Sequence, residues 1–189
     1  MTHSIDLSQI KLGDLVTSSK GAKTIPLTSD GNTIFWQPVG DYVPCFEPSA
    51  FNDPEASRVN ISLMMTAGLE LELNQLDTHL VKLLAKESQK YFGQVLTEAQ
   101  IKERMQASVR SSDKGLKSWR LKMNISGRAK CLCYDESRQL REAPERWLNV
   151  SLRPRVAVKG FWLMNKECGL IYELQAAQIC ETVKECPFI

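Results

Sequence analysis

Apolar positions along this chain recur with two periods, near 3.6 through its middle and 2 elsewhere, and the changes of period mark its elements. Residues 1–31 are polar and keep no sustained period, although Ile5, Leu7, Ile10, Leu12, Leu15 and Val16 are available to dock. They are expected to form a flexible or irregular N-terminal segment. Asn32 to Val39 reads as a strand, with Ile34 and Trp36 on one side and Pro38 limiting it. A loop holding Pro44, Pro48 and Pro54 comes next, and Arg58 to Thr66 then alternates Val59, Ile61, Leu63 and Met65 as a half-buried strand.

Helical spacing takes over at Leu76, Leu80, Leu83 and Leu84 and reaches Tyr91, with Asn74 as the expected cap and Gly93 as the stop. Thr97-Glu-Ala-Gln100 is a capping box, which starts a shorter helix running to about Ser108 with Ile101 and Met105 inward. The pair predicts a helical hairpin inserted at about 74–108, its leucine stripe packed against a core.

From Lys117 the period returns to 2. Trp119, Leu121, Met123 and Ile125 fall on one side and Ser118, Arg120, Lys122 and Asn124 on the other, so Trp119 reads as core and the basic residues as surface. Ser126-Gly127 makes a turn, and Arg128 to Tyr134 alternates again, with Arg128, Lys130 and Tyr134 together. After a charged excursion from Asp135 to Arg146, Trp147 to Leu152 is a short strand. Pro154 to Leu163 is a strong one, with Arg155, Lys159 and Phe161 opposed to Val156, Val158 and Trp162. Asn165-Lys166 turns the chain into a last strand, Cys168 to Gln178. Five or so short antiparallel strands predict a mainly β (α+β) fold. An OB-fold-like barrel with an inserted helical hairpin is the natural candidate, spanning residues 32–180 as one domain with a tail at 181–189.

Charge changes the picture more than composition does. The chain of 189 residues carries a net charge of only +2, yet residues 114–166 hold 13 Lys and Arg against 4 Asp and Glu, and the rest holds 11 against 18. Such a separation marks a face for a polyanion. A single strand of nucleic acid offers charged phosphates and open base faces, so a sequence-tolerant binder interleaves Lys and Arg with aromatic rings on one sheet surface. The basic strands meet that requirement, with Arg120, Lys122, Arg128, Lys130, Arg153, Arg155 and Lys159 toward phosphate and Phe161 and Tyr134 toward bases.

Other chemistry is poorly supplied. There is no glycine-rich phosphate loop, and His3 and His79 are the only histidines. Glu70 with Glu72, or Asp135 with Glu136, lies outside the basic strands where substrate phosphates would sit, so a nuclease centre is not expected. The six cysteines Cys45, Cys131, Cys133, Cys168, Cys180 and Cys186 fit no zinc spacing and read as reduced apolar residues. No run is long enough to span a bilayer, and no basic start leads into an apolar run as in a signal peptide. The chain is therefore expected to be a soluble intracellular binding protein, not an enzyme, with no cofactor or metal.

The segments Val59-Asn-Ile-Ser-Leu63, Tyr91-Phe-Gly-Gln-Val-Leu-Thr-Glu-Ala-Gln-Ile101 and Ala107-Ser-Val-Arg-Ser-Ser112 resemble the helical insert of the single-stranded-DNA-binding proteins of nucleocytoplasmic large DNA viruses. Trp119-Arg-Leu-Lys-Met123, Arg153-Pro-Arg-Val-Ala-Val-Lys-Gly-Phe-Trp162, the Asn165-Lys166 turn and Gly169-Leu-Ile-Tyr-Glu-Leu-Gln175 resemble the strands and turn on the C-terminal side of that insert in the same family. The likeness covers about Arg58 to Ile179, with Lys159, Phe161 and Trp162 matching well, which adds Trp162 to the expected nucleic-acid-binding residues, and Glu173 standing where the pattern is basic or polar. It implies an OB-fold, one that phage proteins of similar role also use and a cellular relative could share, that binds single-stranded DNA with little sequence preference in replication, recombination or repair. It places the protein in the nucleus or at a cytoplasmic site of viral DNA replication, beside replication proteins. RNA binding, self-association and a protein-interaction role for the helical hairpin stay open as alternatives.

Overall fold

The computed structural model describes residues 5–50, 53, 55–148 and 150–180. The expected tail 181–189, and with it Cys186, as well as His3, lie outside these residues. A short 3-10 turn, Leu7–Gln9, opens the chain and leads into β1 (Ile10–Leu12), β2 (Val16–Thr17), β3 (Lys23–Ser29) and β4 (Asn32–Trp36). Then come β5 (Arg58–Met64), α1 (Ala67–Lys86), α2 (Ser88–Phe92), α3 (Glu98–Arg104), β6 (Met105–Gln106) and β7 (Val109–Ser111). The remainder is sheet: β8 (Lys117–Asn124), β9 (Leu132–Tyr134), β10 (Leu140–Arg141), β11 (Ser151–Met164) and β12 (Glu167–Cys180).

These strands form one curled sheet with the order β1-β3-β4-β11-β12-β8-β5. Its long pairings, β11 with β12 and β5 with β8, are antiparallel as expected, but β12 runs parallel to β6, β8 and β9. The sheet is therefore mixed, an OB-like half-barrel with the helices inserted between β5 and β8. Its inner face holds the core. Trp36, Trp119 and Tyr172 meet there with ring centroids 5.2 Å apart, joined by Ile61, Leu63, Leu121 and Leu174.

Helix α1 begins earlier than its leucine spacing suggests. Leu69-Glu-Leu-Glu-Leu73 alternates with period 2 and hides the first turns, so the cap is Thr66, whose Oγ1 accepts the Leu69 N–H at 3.3 Å. Asn74, the expected cap, lies inside the helix. Leu69, Leu73, Leu76, Leu80, Val81 and Leu84 are all buried, so the stripe belongs to the core. Asp77 ties this helix to the sheet by accepting the Ser108 N–H at 2.8 Å and its hydroxyl at 2.6 Å, and the Tyr172 hydroxyl lies 2.7 Å from the same Ser108 oxygen. Burial holds the Asp77 carboxyl above its ordinary pKa, and the Ser108 bonds partly offset that. Gly93, with φ 68°, closes α2 in the left-handed conformation, and the Thr97–Gln100 capping box is formed. The helix it starts ends at Arg104, before Ser108, because Met105 turns extended and pairs with Cys168 on β12.

Three further expectations change. The N-terminal segment is not irregular: β3 buries Ile25 and Leu27 and pairs with β1, β2, β4 and β11. Pro26 and the surrounding Thr and Ser residues disguise it in the sequence. Tyr91 fastens this segment to the insert by donating to the Gly13 carbonyl at 2.7 Å. Trp147 precedes β11 in a loop, where the N–H groups of Trp147 and Leu148 donate to Glu47 at 3.0 and 2.9 Å. Finally, Phe161 points inward. β11 carries a bulge between Val158 and Gly160, where Lys159 is the extra residue, and the bulge reverses the alternation beyond it. Phe161 therefore pairs with Ile25 and is fully buried. Gly160 makes the bulge feasible, since its φ is 142° and a Cβ there would overlap the Ile25 carbonyl.

Candidate nucleic-acid interface

With Trp119, Leu121 and Met123 committed to the core, β8 turns Arg120 and Lys122 to the opposite, outer face. Register then fixes their neighbours. Lys122 lies opposite Asn60 on β5 and Glu173 on β12, Glu173 opposite Ala157 on β11, and Ala157 opposite Phe35 on β4. Residues paired in this way share a face, so one row crosses five strands. At about 4.8 Å between strands it is roughly 19 Å long.

Cations flank the row. Arg58 and Arg120 stand one pleat away along β5 and β8, and Arg155 and Lys159 stand on either side of Ala157 on β11. The Arg155 guanidinium lies 4.9 Å from the centre of the Phe35 ring, which is 45% exposed. Glu173 is the acid among them, and its side chain is only 10% exposed. Its Oε2 is 2.8 Å from Arg58 Nη2, its Oε1 is 3.7 Å from Lys159 Nζ, and Gln175 donates to Oε1. Lys122 is exposed on the outer face beside Arg58 and Arg120. Desolvation first, and those like charges second, push its pKa below the ordinary lysine value. Arg110 on β7 is lowered in the same way by burial and by Arg120. Cations held close together against their own repulsion are what a polyanion site requires.

A second row on the same face runs Thr24, Trp162, Gly169 and Gln106. Trp162 is half-buried and its indole covers Gly169, where a Cβ would come within 2.7 Å of Nε1. The glycine thus lets the ring lie down on the sheet.

The outer face brings together Arg120, Lys122, Arg155, Lys159 and Trp162. Arg153 lies at its end and is already paired, its Nε 2.6 Å from Asp41 Oδ1. Tyr134 is half-buried on β9, in a row with Gln178 and Arg153. Arg128 and Lys130 are not on the sheet. The chain between β8 and β9 turns at Gly127, φ 75°, and the Lys130 N–H closes the turn onto the Gly127 carbonyl at 3.2 Å, so both residues are exposed in a loop. Phe161 leaves the set because of the bulge. Phe35, Arg58 and Asn60 enter it unforeseen. The signal for Phe35 was present, since Ile34 and Trp36 inward put Phe35 outward, whereas Arg58 lies outside the basic window.

Among the described residues no group of three His, Cys, Asp or Glu side chains is placed to hold a metal ion, and Cys45, Cys131, Cys133, Cys168 and Cys180 are free. No helix among them is long and apolar enough to cross a membrane.

No protein-family model matches the sequence, and neither does any curated protein. Solved structures do match. The fold is similar to that of the single-stranded DNA-binding protein from bacteriophage Enc34 in complex with single-stranded DNA, at 11% identity, with TM-score 0.50, over 89% of this chain and 94% of that one. It is equally similar to gp2.5, a single-stranded DNA-binding protein encoded by bacteriophage T7, at 12% identity, with TM-score 0.50, over 79% of this chain and 87% of that one. At such identities the likeness establishes architecture, which is the OB-like one.

Proposed function

We propose that this protein binds single-stranded DNA across the outer face of its sheet, with little sequence preference, as a binding protein and not an enzyme. The observation that carries this reading is the row Phe35–Ala157–Glu173–Lys122–Asn60 with Arg58, Arg120, Arg155 and Lys159 beside it. An exposed aromatic with an arginine lying over it supplies a platform for a base, worth about 1–3 kcal/mol per stack, and the cations supply salt-dependent attraction to phosphate. Trp162 is the second platform. The likeness of the fold to phage proteins that bind single strands, and the resemblance of its segments to those of large DNA viruses, support the same reading. The corresponding role is protection of single strands in viral replication, recombination or repair, alongside replication proteins.

Fluorescence anisotropy with labelled oligo-dT tests this. Submicromolar binding at low salt that weakens steadily as salt rises is the expected result. Micromolar or weaker binding at low salt, or affinity indifferent to salt, overturns it. Competition with an RNA strand of matched length distinguishes the sugars.

A further inference from the structure

Glu173 stands in the middle of a face otherwise built for anions. Its carboxylate is nearly buried, and around it lie Arg58 from β5, Lys122 from β8 and Lys159 from β11, with Gln175 as a neutral donor from its own strand. A carboxylate buried to this degree is costly unless cations and donors surround it, and here they do. Yet a structural ion pair has no need to sit at the centre of a row that crosses five strands on the outer face, flanked by exposed Lys122, Arg155 and Lys159. Guanidinium groups bind carboxylate and phosphate with the same geometry, so Arg58 cannot serve both fully at once.

We propose that Glu173 is an internal stand-in for phosphate: it holds Arg58 and Lys159 in place while the face is empty, and the DNA backbone must displace it to engage them. This rests on the single-stranded-DNA reading and adds a regulator to it. The contact keeps the cations ordered in the free protein, which lowers the entropy lost on binding. It also subtracts part of the attraction, so bound strands leave more readily. Glu173 is thus a positioning and affinity-setting residue, not one that holds DNA.

The test is Glu173→Gln in the full chain, titrated with labelled oligo-dT over a range of salt. The variant keeps the shape of the side chain and one acceptor oxygen, exchanges the other oxygen for an NH2 donor, and removes the charge. Binding about fivefold tighter at low salt is expected. The plot of log affinity against log salt should steepen by about 0.7 for each freed cation that takes up a phosphate. Affinity and slope that stay unchanged, or fall, overturn the proposal. A second comparison avoids any loss of folding in that variant: Arg58→Gln in the otherwise native protein should cost less affinity than Lys122→Ala, because Arg58 is spent on Glu173 and Lys122 is not. Equal or greater loss in Arg58→Gln overturns the proposal as well. If the native chain fails to bind oligo-dT at all, the reading of the face falls. If it binds and Glu173→Gln gains nothing, only the role of Glu173 falls.

Discussion

β8 and β11 both carry basic residues on alternate positions and both border β12, but they obey alternation differently. β8 pairs with β5 through seven consecutive residues without a break, from Ser118 opposite Met64 to Asn124 opposite Arg58. β11 pairs with β12 through two register shifts, one at Arg155/Val156, where Gln175 is the extra residue of the partner strand, and one at Val158/Gly160. On β8 every second side chain reaches the outer face. On β11 the bulge at Lys159 keeps that lysine outward and then sends Phe161 inward and Trp162 outward. A period of 2 therefore assigns faces only between bulges. The bulge also has a use: it gives one strand both a cation for the outer face and a large ring for the core.

The largest effect that separates the two faces belongs to Phe161. Phe161→Ala should destabilise the fold by about 3–5 kcal/mol, as for other buried aromatics, seen as a lower urea midpoint. Its affinity for oligo-dT, measured where the variant is still folded, should stay near that of the native protein. Unchanged stability with weakened binding would return Phe161 to the outer face and rule out the bulge. Phe35→Ala is the mirror case, with stability within about 0.5 kcal/mol of native and affinity lower by about 1–3 kcal/mol, or roughly 5- to 150-fold.

These two phenylalanines also show what a single sequence can reveal. Phe35 was legible, because Ile34 and Trp36 define a strand whose remaining face must carry it. β8 was legible for the same reason, and the Thr97–Gln100 box and Gly93 were legible because capping is a local rule. The position of Phe161 was not, since a bulge is chosen by partners, here Ile25 and Ile171, that lie far away in sequence. Nor was the ion pair of Arg58 with Glu173, which joins residues 115 positions apart through a parallel pairing that no local pattern announces. Local chemistry identifies elements, and register between distant strands decides which side chains meet.

The smallest effects test the edge of the face. Lys122 lies in the row, and Lys130 sits in the turn that leaves it. Lys122→Ala should weaken oligo-dT binding and lower the salt slope by about 0.7, the share of one phosphate contact on a single strand. Lys130→Ala should change affinity by less than about twofold and leave the slope alone, because an exposed loop cation adds only screened, long-range attraction. Measured side by side, the pair asks whether the site is a sheet surface or merely a basic stretch of sequence. Equal losses from the two variants would mean that charge in the window matters and the row does not. A loss confined to Lys122 would mean that the register of β8 with β5 and β12 places the phosphates.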